Sequence, residues 1–125
     1  MKQAPIETRT NLIWMDAGIR HDEIKENAML TLEHAQEVIS AYIKSSKGDS
    51  VPTLVDYSKL KSMGKDAREF FAGRQCQGVV KAMAIVVGSP VSEITASLFV
   101  NLSKPKFPTK IFTNKQEAQV WLKNG

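Results

Sequence analysis

The spacing of hydrophobic and polar residues changes character several times along the chain, and each change marks an element. IETRTNLIWM, residues 6–15, mixes threonine, isoleucine and tryptophan in a rough alternation, DAG offers a turn, and IRHDEIKEN follows. This predicts a β-hairpin with strands at about 6–15 and 18–26, each partly polar, paired antiparallel at a sheet edge. A connector, NAML, leads to Thr31, whose hydroxyl can accept an orphan backbone N–H, and Glu33 falls near the positive end of the helix dipole. Leu32, Ala35, Val38, Ile39, Tyr42 and Ile43 then recur at three- and four-residue steps, which predicts a helix over 32–45 with that face on the sheet.

After the loop SSKGDS, VPTLV predicts a strand over 51–56, with Pro52 near its start where the missing N–H matters least. KDAREFFA predicts a helix over 65–72 with Gly73 as its C-cap. KAMAIVV, residues 81–87, is apolar at successive positions and is expected to be a central strand buried on both faces. Ser89 and Pro90 suit the cap and first turn of a helix over 90–103, with Val91, Ile94, Leu98, Phe99 and Leu102 as its inward stripe. KPKFP cannot continue that helix, so TKIF at 109–112 is read as a short strand. Thr113 and Gln116 have capping-box spacing before a last helix that turns Ala118, Trp121 and Leu122 inward. The order β-β-α-β-α-β-α-β-α predicts an α/β sheet of about five strands, an antiparallel hairpin followed by parallel strands, with about four flanking helices.

Length and composition narrow the class. A chain of 125 residues with 42% hydrophobic residues is expected to form one domain with one core. The longest apolar run, Ala82 to Val87, is far short of the roughly 20 residues that span a bilayer. MKQAPIETRT has no apolar segment or cleavage pattern of a signal peptide, so a cytoplasmic protein that is not an integral membrane protein is expected. Residues 1–58 carry 6 Lys/Arg against 9 Asp/Glu and residues 59–125 carry 11 against 4, a polarity of −3 and +7 that favours an anionic partner. The basic residues are not interleaved with aromatics, which argues against nucleic acid.

Catalytic chemistry finds little support. Cys76 is the only cysteine, which excludes an intramolecular disulfide, and it has no histidine nearby in sequence to act as its base. His21 and His34 have no ligand spacing, and they are read as surface or cap residues. Asp22, Glu23 and Glu26 are read as a solvated acidic face. No nucleophile elbow, phosphate loop or metal-spaced cluster occurs. The expectation is a non-enzyme with no metal and no cofactor that binds a protein partner. Val100 lies off the expected stripe, and Phe70 and Phe71 are adjacent on one helix, so one of them should point away from the sheet. An exposed aromatic there would suit a homodimer.

VPTLVDYSKLKSMGKDAREFFA, KAMAIVVGSPVSEITASLFVNLSKPKFPTKIF and the ending FTNKQEAQVWL, together with the order of elements, resemble the SpoIIAA-like proteins, the small bacterial STAS/SEC14-type domains. The likeness covers roughly residues 51–122. It implies a SpoIIAA-like fold and, in the anti-sigma-antagonist type, a protein partner released when a serine at the start of the helix after the third strand is phosphorylated. Those relatives end the strand in aspartate, matched by Asp56, and open the helix at D-S-S-G. Aligned without gaps, Gly64, Lys65 and Asp66 stand where D-S-S should, so the usual phosphoserine switch is absent. The resemblance places partner binding at Asp56, Ser58, Lys61, Ser62, Lys65, Asp66 and Arg68. Its alternative is a lipid or small apolar ligand of the CRAL-TRIO type, lined by Leu98, Phe99 and Leu102 with Lys104 and Lys106 toward a headgroup.

Overall fold

The structure is a computed structural model and describes residues 4–124. Met1 to Gln3, the start of the segment judged for a signal peptide, and Gly125 lie outside the described residues. The element order is β1 (Ile6–Glu7), β2 (Asn11–Asp16), β3 (Ile19–Ile24), β4 (Met29–Leu30), α1 (Leu32–Ser46), β5 (Val51–Asp56), β6 (Ser62–Met63), α2 (Lys65–Phe71), α3 (Arg74–Gln77), β7 (Val80–Val86), α4 (Pro90–Leu98) continued by a π turn (Phe99–Ser103), β8 (Thr109–Phe112) and α5 (Lys115–Asn124). Six strands form one sheet in the order β1-β2-β3-β5-β7-β8, antiparallel across β1, β2 and β3 and parallel from β3 to β8. β4 and β6 pair parallel as a separate two-stranded sheet.

The hairpin differs from the sequence reading in one respect. Its first strand is split, because the Thr8 hydroxyl accepts the N–H groups of Thr10 and Asn11 and folds the chain back on itself. β1 and β2 are therefore two antiparallel strands, and the sheet has six strands. Between β2 and β3, Ala17 (φ 52) and Gly18 (φ 80) both take positive φ, the backbone of a tight hairpin turn whose twist matches the strands.

Strand alternation divides the core. Ile13, Ile24, Val55, Met83 and Ile85 join the α1 side, together with Phe71 of α2 and Phe99 of the π turn. Ile19, Leu54, Ala84, Val86 and Phe112 join the other side, where α5 contributes Ala118 and Leu122, with Trp121 packed against them. β7 lies between β5 and β8, as expected of the KAMAIVV run.

Three helix details correct the sequence reading. Gly73 is extended (φ −90, ψ −170) and opens the short helix α3, while Ala72 ends α2, so no left-handed glycine cap is used. At α5 the cap is Asn114, whose Oδ1 accepts the Glu117 N–H at 3.0 Å; Thr113 lies one residue too early. The largest correction concerns α4, where Val91, Ile94, Leu98 and Leu102 face solvent. Its inward side is Ser92, Thr95, Ala96 and Phe99. Small and hydroxyl-bearing side chains let this helix approach its neighbours closely, which a row of leucines would prevent. Val100, which the sequence reading placed off the inward stripe, packs against the core. Of the pair Phe70 and Phe71, one of which was expected to point away, Phe71 is buried and Phe70 packs against the core half-exposed, so neither is a fully exposed aromatic.

Candidate functional site

The segment from Asp56 to Arg68 carries the residues that the family resemblance singles out, and local chemistry explains its shape. β5 ends at Asp56, whose Oδ1 accepts the Ser58 N–H at 2.9 Å and so turns the chain immediately. Its Oδ2 lies 3.2 Å from Lys115 Nζ at the start of α5. Burial alone would raise this carboxyl, but hydrogen bonding from Ser58 and the Lys115 ammonium hold it below its ordinary range. Asp56 thus ties the end of the sheet to α5. Ser58 sits against the end of β7, where a Cβ on Gly88 would come within 3.1 Å of the Ser58 Cβ, so glycine permits this approach.

The chain then buries Tyr57 and Leu60 and pairs Ser62 and Met63 with Met29 and Leu30. The small sheet fixes the openings of α1 and α2 side by side. At α1, Thr31 accepts the His34 N–H and the His34 imidazole accepts the Thr31 N–H, a reciprocal cap that gives His34 a structural role. At α2, Gly64 occupies the cap position and has no side chain to offer. An open groove of about 430 Å³ lies between the two helix starts, bordered by Met29, Leu32, Ser62, Gly64, Lys65 and Asp66.

The seven candidates therefore do not converge on one spot. Ser62, Lys65 and Asp66 share the groove, and Lys61 is exposed beside it. Asp56 and Ser58 belong to the turn that meets α5. Arg68 is turned inward and donates from Nε to Ser103 Oγ at 2.8 Å, linking α2 to the π turn, so it is not part of an exposed basic face. Two groove residues escaped the sequence reading: Met29 sat in an unassigned connector, and Leu32 was counted as core because it shares the phase of Ala35 and Ile39. Both are exposed. Leu98, Leu102, Lys104 and Lys106 also face outward, while Phe99 points into the core, so these five residues do not line a common cavity.

Under the C-terminal half of α1, away from the groove, lies a buried polar cluster. β3 is an interior strand, and its alternation sends Arg20, Asp22 and Ile24 toward α1; Asp22 is therefore buried, contrary to its reading as solvated, while Glu26 is exposed. Arg20 is fully buried and directs its guanidinium to Ser45 Oγ, Thr53 Oγ1, the Val79 and Tyr42 carbonyls and Ser46 Oγ. All five of its N–H donors have neutral acceptors. Asp22 accepts hydrogen bonds from the Tyr42 hydroxyl and from Asn11 Nδ2, the latter at 2.6 Å. Burial pushes its carboxyl up to about 6 against these bonds and the Arg20 charge, which favour the ionised form. Cys76 is buried, and burial pushes its thiol up to about 12, which makes it a poor nucleophile. Among the described residues no group of three His, Cys, Asp or Glu side chains could hold a metal ion, and no helix is long and apolar enough to cross a membrane.

Comparison with solved structures agrees with this architecture. An uncharacterised protein from the DUF3478 family with a SpoIIAA-like fold, from Shewanella loihica PV-4, superposes with a TM-score of 0.60 at 15% identity, covering 90% of this chain and 91% of that one. The fold is thus SpoIIAA-like, as the sequence resemblance implied. No curated protein matches the chain. The model of a family described as a domain of unknown function, DUF7793, matches residues 13–125, and the chain belongs to that family.

Proposed function

We propose that this SpoIIAA-like domain is a non-catalytic protein-binding module whose partner docks in the groove between the starts of α1 and α2. The observation that carries this reading is the groove itself: exposed Met29 and Leu32 lie beside Ser62, Lys65 and Asp66 on backbone fixed by the β4–β6 pair. Apolar anchors ringed by polar side chains are the usual anatomy of a protein interface. Lys61 and Lys65 are exposed and make no ion pair among the described residues, so they favour a partner segment that combines apolar and acidic residues. With glycine, lysine and aspartate where the relatives carry D-S-S, binding here does not use the usual phosphoserine switch.

The test is affinity capture from native lysate with the wild-type chain beside Leu32→Asp and Lys65→Glu. A protein retained by the wild type, lost with both variants and re-bound as a purified component supports the reading. Capture that is indifferent to both substitutions overturns it. Mass spectrometry of the native protein is expected to find Ser58 and Ser62 unphosphorylated.

A further inference from the structure

The outward side of α4 and its π turn is aliphatic. Val91, Ile94, Leu98 and Leu102 are 39 to 62% exposed and follow one another at steps of three, four and four residues. That is the spacing of a seam between two packed helices. In the π turn, where Lys104 N–H reaches back to the Phe99 carbonyl, the wider coil keeps Leu98 and Leu102 on one side. The seam borders an open groove of about 370 Å³ with Glu93, Ser97 and Asn101 along its other bank. Elsewhere α4 is filled: Ser92, Thr95 and Ala96 are buried, and the Ser92 hydroxyl is engaged by the backbone of Gly88 and Ser89.

We propose that a second copy of the chain covers this seam, the two α4 helices packing antiparallel about a two-fold axis at Leu98. In that arrangement Leu98 meets its own counterpart and Ile94 meets Leu102, so the three central seam residues find aliphatic mates, as a self-complementary interface requires, and Val91 lies at its margin. Charge selects the direction. Glu93 stands near the start of the seam, while Lys104 and Lys106 are exposed beyond its end and make no ion pair among the described residues. Antiparallel packing brings Glu93 of each copy against Lys104 of the other, whereas parallel packing would set like charges together. Glu93 on the bank also disfavours an anionic bilayer as the occupant. A seam of 12 residues is about 18 Å long, less than a standard interface of about 800 Å² per partner needs, so the dimer dissociates on dilution. This interface is separate from the partner groove and does not depend on it.

Sedimentation velocity from about 1 μM to about 1 mM reads the equilibrium directly. The wild type is expected to shift from monomer to dimer across that range, and Leu98→Asp, on an exposed site that leaves the far-UV circular dichroism unchanged, is expected to stay monomeric. Glu93→Lys should weaken association by about 10-fold, and adding Lys104→Glu to the same chain should restore it. Because Cys76 is buried, Leu98→Cys supplies an accessible thiol at the axis and should form a disulfide dimer on mild oxidation, much faster than the control Val120→Cys on α5. A wild-type monomer at every concentration overturns the proposal, as does oxidation of the two cysteine variants at equal rates. Sedimentation of a monomeric wild type with phosphatidylserine vesicles, lost in Ile94→Asp, would assign the seam to a membrane surface instead.

Discussion

α1 and α4 both carry aliphatic residues at helical spacing, and they turn those residues in opposite directions. In α1 the middle of the periodic set, Ala35, Val38, Ile39 and Tyr42, is buried against the sheet, while its outer members Leu32 and Ile43 are exposed, contrary to the sequence reading. In α4 the corresponding set Val91, Ile94, Leu98 and Leu102 faces solvent, and Ser92, Thr95, Ala96 and Phe99 face the core. Periodicity therefore identifies a face, while the space between a helix and its neighbours decides which face goes inside. α1 lies against the β1–β3 half of the sheet, where long side chains and the Arg20 cluster fill the gap. α4 is fixed at its start by the Ser89–Ser92 cap and lies against β6, with small residues beneath most of its length.

The largest effect should come from the α1 side. Arg20→Ala would leave Ser45, Ser46, Thr53 and two carbonyls without their donor and should cost about 3–5 kcal/mol in urea unfolding. A loss under about 1 kcal/mol would mean that the guanidinium does not organise the α1–sheet contact. Next, Ile39→Ala should cost about 2–5 kcal/mol, whereas Ile94→Ala should change stability by less than about 0.5 kcal/mol at concentrations where the chain is monomeric. Equal losses at the two sites would erase the contrast between the helices.

A third measurement probes the polar core under α1. Burial holds the Asp22 carboxyl at about 6, above its ordinary 3.8, so between these values the native state keeps a proton that the unfolded chain has released. Its contribution to stability is fully present below about pH 4 and is lost as pH rises through about 6, a change on the order of 2–3 kcal/mol. Asp22→Asn should flatten that part of the profile, and an unchanged slope in the variant would assign the dependence to other groups. The smallest test concerns α5, which like α1 turns its apolar side inward. Asn114→Ala should cost about 1 kcal/mol through the lost cap, and Thr113→Ala almost nothing; the reverse order would restore the capping box read from the sequence.

Much of the fold was legible because its signals are local. The DAG turn, the Thr31 and Ser89 caps, Pro90 and the doubly buried run before Gly88 each depend on residues a few positions apart. Short-range chemistry also hid what the sequence misread: the Thr8 hydroxyl breaks one strand into two, and Asn114 outcompetes Thr113 by one position. For the candidate site, the resemblance offered a segment, but not how its side chains are divided between groove, turn and core. Arg68 carries the same charge as Lys61 and Lys65, and nothing local to it announces that it will turn inward to Ser103, 35 residues away. Met29 and Leu32 carried no polar signal and so passed as connector and core.

By itself the sequence determined the order of the main strands and helices, because these follow from periodicity and caps along short stretches of chain, and its resemblance to a known family implied the SpoIIAA-like class. Only the tertiary structure decided that Asp22 is buried, that Phe70 and Val100 pack inward and that the α4 stripe is exposed. Those outcomes depend on which strand becomes interior and how closely a helix is held, and both are set by partners distant in sequence.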